Sequence, residues 1–368
     1  MARVGCLANA KQPPGWLRVL GCFVDLLKGL FSVEWMPAES HAFCRRLAGL
    51  ALEGAPIPRA EAIRVLTDPD IPLLPLLDAA FVVRERHFGR GVRVHILNNV
   101  QNGLCPEDCN YCAQATSSAG EVPVYRMKSE EAIFDEAKKA LDSGAYRYCL
   151  VLSGRGPGNE RVEYLAGVVS RLKAAFPMEV CLSAGFIDAS QAARLKEAGL
   201  DRYNHNLNTS EERYGSICHT HSYADRVATL TAARSVGLEV CSGLILGMGE
   251  GPEEVVEVAL TLNRLDARSI PVNFYVHAPG SKLGAQNRLT PESCLRALCL
   301  FRFLNPSAEV RAAGGREANL RGLESLALYP ANSLFAEGYL NTGGHAADKT
   351  LRLIEDAGFS VERVEEHE

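Results

Sequence analysis

The sequence predicts an α/β fold: a closed (β/α)8 barrel of the TIM type with an N-terminal helical extension. Three observations predict it. From residue 92 onward, short β-branched and apolar runs alternate strictly with helical patterns. Eight such units can be counted. Together they span about 250 residues, the usual size of such a barrel. Strict alternation implies parallel strands joined by crossover helices. An open doubly wound sheet is the alternative arrangement of the same units.

Taken in order, residues 1–35 stand apart. They carry only two acids, Asp25 and Glu34, and the break Pro13-Pro14-Gly15. They read as an extension outside the fold, with Met36 as an alternative start. The apolar stretch 16–33 is interrupted by Arg18, Asp25 and Lys28. A bilayer span needs about 20 mostly apolar residues, so none is expected here. Residues 36–91 form a helical segment with periodic runs at 42–52, 59–65 and 72–88, broken at Asp68-Pro69-Asp70. Strands are expected at 92–99, 148–154, 179–185, 202–208, 239–246, 269–278, 309–314 and 332–337. Helices are expected near 129–143, 160–175, 188–199, 222–236, 252–266, 290–304, 317–328 and 346–357. Ser129-Glu130-Glu131 and Thr290-Pro291-Glu292 are entry signals. Gly144, Gly199 and Gly237 each follow a helix. The barrel is expected over 92–358, with 359–368 as a tail.

The 368 residues carry 39 lysines and arginines against 44 acids, a net charge of −5; hydrophobic residues make up 47% and charged residues 23%. That balance excludes a disordered or collagen-like chain. It also leaves no electrostatic footprint for nucleic acid, and no membrane partner is expected. Twelve cysteines in a chain neither short nor obviously secreted argue against a disulfide framework. A cytoplasmic location, which keeps thiols reduced, is the expectation.

Three of those cysteines follow the first strand in Gly103-Leu104-Cys105-Pro106-Glu107-Asp108-Cys109-Asn110-Tyr111-Cys112. The spacing C-x3-C-x2-C lets three thiolates occupy three corners of one metal centre. A structural zinc site wants a fourth closing ligand. His95 lies back on the strand, and the next histidine is His205. Three cysteines without a fourth suit a [4Fe–4S] cluster with one open iron. This spacing resembles the radical S-adenosylmethionine (SAM) superfamily, in which the open iron chelates SAM. The resemblance implies that Tyr111 packs near the adenine. Gly243-Leu244-Ile245-Leu246-Gly247-Met248-Gly249-Glu250 matches the superfamily pattern G-x-I-x-G-x-x-E on the expected fifth strand. It implies an adenine pocket lined by Gly243, Ile245 and Gly247.

Three further cysteines fall inside expected strands: Cys149, Cys181 and Cys241. One buried cysteine is usually a small core hydrophobe. Three at matching strand height can face one another across the barrel. Cys149, Val151 and Ser153 share a strand face, as do Cys241, Gly243 and Ile245. The SAM-facing positions, with Ser153 and Gly154 at the end of the second strand, therefore lie above these cysteines. Arg311 sits within the seventh strand. A charge inside a barrel costs several kcal/mol unless paired, so an internal salt bridge is one reading of it.

Here the resemblance narrows to the biotin synthase family, from about residue 60 to the C-terminus. It rests on Cys105–Cys112, on Tyr148-Cys149 through Gly156-Pro157, and on Tyr203-Asn204-His205-Asn206-Leu207-Asn208-Thr209-Ser210. It continues through Val240–Glu250, Ile270–Phe274, Gly314–Arg321 and Ala331–Phe335. The resemblance implies a second, [2Fe–2S] cluster held by Cys149, Cys181, Cys241 and Arg311. It implies conversion of dethiobiotin to biotin: reductive cleavage of SAM yields a radical that takes hydrogen from dethiobiotin, and the second cluster donates sulfur. No side-chain base can deprotonate an unactivated carbon, so no catalytic side chain is expected.

Asn204, Asn206 and Asn208 alternate along the expected fourth strand, and neutral amides suit an uncharged ureido ring. By resemblance Asn206 contacts the ureido group and the SAM ribose. Asn208 replaces an aspartate of one branch and can still bond a ribose hydroxyl. Asn273 matches a substrate-pocket position. Asn341 and Thr342 fall where the family has a double threonine near the valerate tail. Leu244 is expected to point outward into helix packing. The remaining cysteines read as structural, and His205, His219 and His221 as hydrogen-bonding residues. The implied partners are a flavodoxin- or ferredoxin-type reductant, Fe–S assembly proteins and a second copy in a homodimer. Another radical SAM enzyme of similar fold is the nearest alternative, such as a hydrogenase-cofactor maturase or methylornithine synthase. A non-catalytic Fe–S electron-transfer protein is the alternative from another class.

Overall fold

The computed structural model describes residues 38–364 apart from 104, 286, 287 and 342. The extension 1–35 and Thr342 lie outside the described residues. Three helices lead in: α1 (Ala38–Glu53), α2 (Arg59–Thr67) and α3 (Leu73–Phe88). The barrel strands are β1 (Gly91–Gln101), β2 (Arg147–Leu152), β3 (Glu179–Ser183), β4 (Arg202–Asn204), β5 (Glu239–Cys241), β6 (Leu244–Leu246), β7 (Ser269–Phe274), β8 (Glu309–Ala312) and β9 (Ser333–Ala336). Every ladder is parallel, and β9 pairs back onto β1. The barrel is closed, and the open-sheet alternative is excluded.

The expected fifth strand is broken into β5 and β6, both of which lie along β7. Gly243 sits in the break. A Cβ there would come within 1.9 Å of the Pro271 carbonyl oxygen, so only glycine lets the two staves approach. We expect Gly243→Ala to cost about 3 kcal/mol through overpacking and to lower the melting temperature by several degrees in a thermal scan. The fourth strand is also shorter than expected. After Asn204 the chain leaves the ladder, and Asn208 takes a left-handed conformation at φ 69°. Asparagine tolerates that region because its short side chain bonds locally. Asn204, Asn206 and Asn208 therefore do not share one strand face.

The helices between strands are α4 (Glu130–Asp142), α5 (Asn159–Ala175), α6 (Ala189–Glu197), α7 (Glu211–Ile217), α8 (Tyr223–Ser235), α9 (Pro252–Arg264), α10 (Pro291–Leu304), α11 (Arg316–Leu320) and α12 (Ala347–Asp356). Ser129 and Thr290 cap α4 and α10 by accepting from the amides of Ala132 and Ser293. Helix α7, in the loop after β4, carries no sequence expectation. The expected helix at 317–328 splits into α11 and a 3-10 turn at Arg321, where φ is 53°. Residues Ser360–Glu362, expected as tail, form β10 and pair with Gly91–Arg93 of β1. Arg93 locks that edge through two bonds of 2.9 and 2.7 Å to Glu362.

The apolar core lies between the barrel wall and the helices. Leu244 packs into it, as its parity implies. Helix α10 is buried on every side from Cys294 to Leu304, because α2 and α3 cover its outer face. Arg296 ties the layers together by donating to the carbonyls of Val65 and Ile71. Cys44, Cys294 and Cys299 are buried there as small hydrophobes. No helix among the described residues is long and apolar enough to cross a membrane.

Candidate functional site

A cavity of about 930 Å³ opens at the C-terminal ends of the strands. The loop after β1 forms one wall and carries Cys105, Cys109 and Cys112. It is folded back by Cys105 N to Gln114 O (3.3 Å), Thr116 N to Cys105 O (2.9 Å) and Cys112 N to Cys109 O (3.1 Å). Burial pushes the Cys105 thiol up, and the amides of Glu107 and Gly154 pull against it. Burial likewise raises Cys112, opposed by the amides of Gln114 and Ala115. Cys109 is pushed up as well, first by its bond to Cys218, so burial and neighbours hold the three as thiols, while the amides aimed at Cys105 and Cys112 would favour a thiolate once a metal group is bound. That donor set fits an Fe–S cluster.

Helix α7 explains how the loop is held. Asn110 N donates to the Ile217 carbonyl at 2.9 Å, and Asp108 accepts from the amides of His219 and Thr220 at 2.9 and 3.1 Å. Glu107 accepts from Arg155 at 2.9 Å and binds Thr220 and His221. Arg226 Nη2 donates to His221 Nε2 at 2.9 Å, which assigns the ring proton to Nδ1 beside Glu107. His221 thus serves as a hydrogen-bonding residue. Cys218 comes within 3.8 Å of Cys109, sulfur to sulfur, and 3.3 Å from His221 Nδ1. Sequence spacing had no means of joining residues 109 apart in the chain.

Most of the remaining predicted positions line the same cavity, but Gly243 and Gly247 do not. The Tyr111 hydroxyl accepts from Asn208 at 2.6 Å, and burial pushes its phenol well above the ordinary range. Ser153 donates to the Gly103 carbonyl at 2.5 Å. Asn206 Oδ1 accepts from Gly243 N at 3.1 Å and Asn204 Nδ2 at 3.2 Å. Ile245 lines the cavity. Gly247 instead turns the chain, its amide bonded to Glu250 at 2.6 Å. Asn273 uses both ends of its amide on backbone, at Leu244 O and Gly314 N, each 3.0 Å away. Asn341 forms a two-bond amide pair with Asn102, at 2.9 and 3.2 Å. That pair ties the loop after β9 to the loop after β1.

Below the cavity lies a smaller pocket of about 30 Å³. Cys149 and Cys181 are register partners across β2 and β3, and Asn204 is the partner of Cys241 across β4 and β5. The three cysteines, Phe335 and Arg311 close the pocket, and all are buried. The Cys181 thiol donates to Cys149, which holds Cys149 below its ordinary value. Cys181 is pushed up by that same bond, and Cys241 by its bond to Cys181. Asn204 Nδ2 lies 3.2 Å from the Cys241 sulfur. Arg311 Nε is buried with no hydrogen-bond partner. A ligand set of three thiols and one unfilled guanidinium edge fits a bound inorganic group better than it fits core packing.

The chain matches the Radical SAM superfamily model over residues 101–262 and the Biotin and Thiamin Synthesis associated domain over 271–360. It is 65% identical over 321 residues to the biotin synthase of Magnetococcus marinus, covering 87% of this chain and 100% of the relative. It is 44% identical over 320 residues to the biotin synthase of Bacillus subtilis strain 168, covering 87% and 96%. Among solved structures, a methylornithine synthase superposes with a TM-score of 0.73 at 20% identity, covering 86% of this chain and 97% of that one. The FeFe-hydrogenase maturase of Carboxydothermus hydrogenoformans gives 0.73 at 16%, covering 93% and 84%. These two likenesses concern the fold alone. With its closed barrel, its cysteine loop and relatives of this identity over nearly their whole length, the chain belongs to the biotin synthase family of radical SAM enzymes.

Proposed function

We propose that this chain makes biotin from dethiobiotin by radical SAM-dependent sulfur insertion, with each residue set in a defined role. Membership of the family implies an Fe–S cluster, SAM and dethiobiotin. Cys105, Cys109 and Cys112 would hold a [4Fe–4S] cluster that supplies the electron for cleaving SAM. Cys149, Cys181, Cys241 and Arg311 would hold a [2Fe–2S] cluster on the pocket floor. When bound, the clusters and SAM supply the one-electron and sulfur chemistry that no side chain can. The observation that carries the reading is the Arg311 Nε, buried without a partner beside three thiols. An unmet buried donor costs about 1–3 kcal/mol, and a ligand on that edge removes the cost.

The protein orients and excludes. Tyr111, held by Asn208, would offer a face for an adenine to stack on, and Ile245 lines the same cavity. Ser153 and Gly154 line that cavity, and Gly243 and Gly247 set the course of the strand that carries Ile245. Asn206 presents a neutral amide that lines both pockets, and Asn204 lies beside Cys241 on the neighbouring strand. Asn273 belongs to the substrate pocket, and Asn341 stands toward the substrate tail. The reductant is a flavodoxin or ferredoxin, Fe–S assembly proteins rebuild the floor cluster, the enzyme works as a homodimer, and it acts in the cytoplasm.

The test is an anaerobic reaction of reconstituted protein with SAM, dethiobiotin and reduced flavodoxin, read by mass spectrometry. Biotin with about two 5′-deoxyadenosines each supports the reading, since two C–H bonds must be opened. Deoxyadenosine without biotin moves the substrate elsewhere. Neither product, from protein that holds its clusters, favours an electron-transfer role. In the same assay Asn206→Leu should raise the KM for dethiobiotin about fivefold, the worth of one neutral hydrogen bond. An unchanged KM would remove Asn206 from the substrate contacts.

A further inference from the structure

Beneath the cysteine ring the barrel is closed by charge. Glu309, the first residue of β8, is 1% exposed. Its Oε1 accepts from Arg311 Nη2 at 2.5 Å, Arg147 Nη1 at 3.1 Å and Ser269 Oγ at 3.2 Å, and lies 2.9 Å from His95 Nε2. Its Oε2 accepts from Arg202 Nη1 at 2.9 Å, Arg147 Nη1 at 3.0 Å and Arg93 Nη1 at 3.5 Å. Arg147 and Arg202 each reach a second carboxylate, Glu179 and Glu239. Arg93 has Glu362. Among the described residues Arg311 pairs with Glu309 alone.

That asymmetry matters for Arg311. Its Nη2 is held three ways: by Glu309 at 2.5 Å, by Ser269 Oγ at 2.8 Å and by His95 Nε2 at 3.3 Å. A guanidinium is a rigid planar fork, so pinning one nitrogen fixes the direction of the others. Nε is left buried without a hydrogen-bond partner, in a residue that lines the same pocket as Cys149, Cys181 and Cys241. His95 extends the same support, with Nδ1 3.9 Å from the Cys149 sulfur. Arg147, Arg202 and Arg311 are buried against the one buried carboxylate of Glu309, and Glu179 and Glu239 balance the first two, so Arg311 depends on Glu309 for its counter-charge.

We infer that Glu309 is the positioning residue for Arg311: it anchors Nη2 from below and so turns the free guanidinium edge toward the three cysteines. The inference rests on the reading of Arg311 as a ligand of the second cluster. Partners of this kind typically contribute 10- to 100-fold to retention of a bound metal group. Nothing in the inference requires Glu309 to touch substrate or the reacting atoms.

The test uses the reconstituted holoenzyme and Glu309→Gln, which keeps the shape and removes the charge. Iron and sulfide content, visible absorption and Mössbauer spectra are recorded for both cluster sites. The first cluster should be unchanged. The second should be lost to a chelator about tenfold faster, with a spectrum shifted toward that of Arg311→Met. The double variant should be no worse than Arg311→Met alone, since both changes break one unit. A second cluster in Glu309→Gln with wild-type spectrum and retention overturns the inference. Should Glu309→Gln fail to fold, Ser269→Ala decides, because it loosens the same nitrogen without changing any charge. A shifted second-cluster spectrum there supports the inference, and an unshifted one overturns it. Wild-type protein without any second cluster sinks the ligand reading, and the inference with it.

Discussion

Replacing Cys149 with alanine abolishes biotin formation while 5′-deoxyadenosine is still produced: this is the expected result with the sharpest contrast. Cys149 is buried on β2, in register with Cys181, and accepts the Cys181 thiol proton. It is the member of the ring whose thiol is held below its ordinary value, chiefly by that bond. Alanine fills most of the same space, so the barrel should fold and the SAM cavity above should survive. What disappears is one corner of the floor site, and with it the sulfur to be inserted. Iron and sulfide analysis should show only the first cluster. The control is Cys294→Ala, which removes an equally buried thiol from α10, on the outer side of the barrel wall, and should leave both products intact. Biotin production by Cys149→Ala at wild-type yield would end the proposal of a sulfur-donating floor.

Replacing Cys112 with alanine should remove both products. Cys112 has two amides, of Gln114 and Ala115, turned toward its sulfur in the loop above the cavity. Without that thiolate the upper site has two cysteines, fewer than the three a cluster with one open iron requires. SAM cleavage should then fall to background, and with no radical the substrate stays untouched. The floor cluster should remain visible by absorption, since Cys149, Cys181 and Cys241 lie on separate strands and do not depend on the loop. Deoxyadenosine formation by Cys112→Ala would show that the upper cysteines are not the SAM site. The two variants together separate the sets: one loses biotin alone, the other loses everything.

Much of this molecule is local in origin. The spacing of Cys105, Cys109 and Cys112 is a property of eight consecutive residues. The strand and helix periods set the alternating βα units, and the pairing of β9 with β1 decided the closed barrel over the open sheet. Strand parity placed Cys149 below Ser153 and Cys241 below Gly243 before any contact was known. The same parity carried an overlooked signal. Glu309 and Arg311 are two apart on one strand and so face the same way, which makes an inward acid beside an inward arginine readable from the chain.

Other features were decided by contacts between distant segments. Asn208 left the fourth strand because its left-handed turn lets its side chain reach Tyr111, 97 residues away. The fifth stave broke because Gly243 must pass the Pro271 carbonyl on another strand. Ser360–Glu362 became a strand because the edge of β1 that pairs with β2 only from His95 onward is free at Gly91–Arg93, and Arg93 needed an acid. Cys218 met Cys109, and Arg93, His95, Arg147, Arg202 and Arg311 met Glu309, only when the barrel closed. Sequence by itself determined which residues repeat, alternate and face inward, because those follow from backbone period. Tertiary structure alone decided which of them share a carboxylate or a sulfur, because Coulomb and hydrogen-bond energies depend on separations of a few ångströms that chain order does not encode.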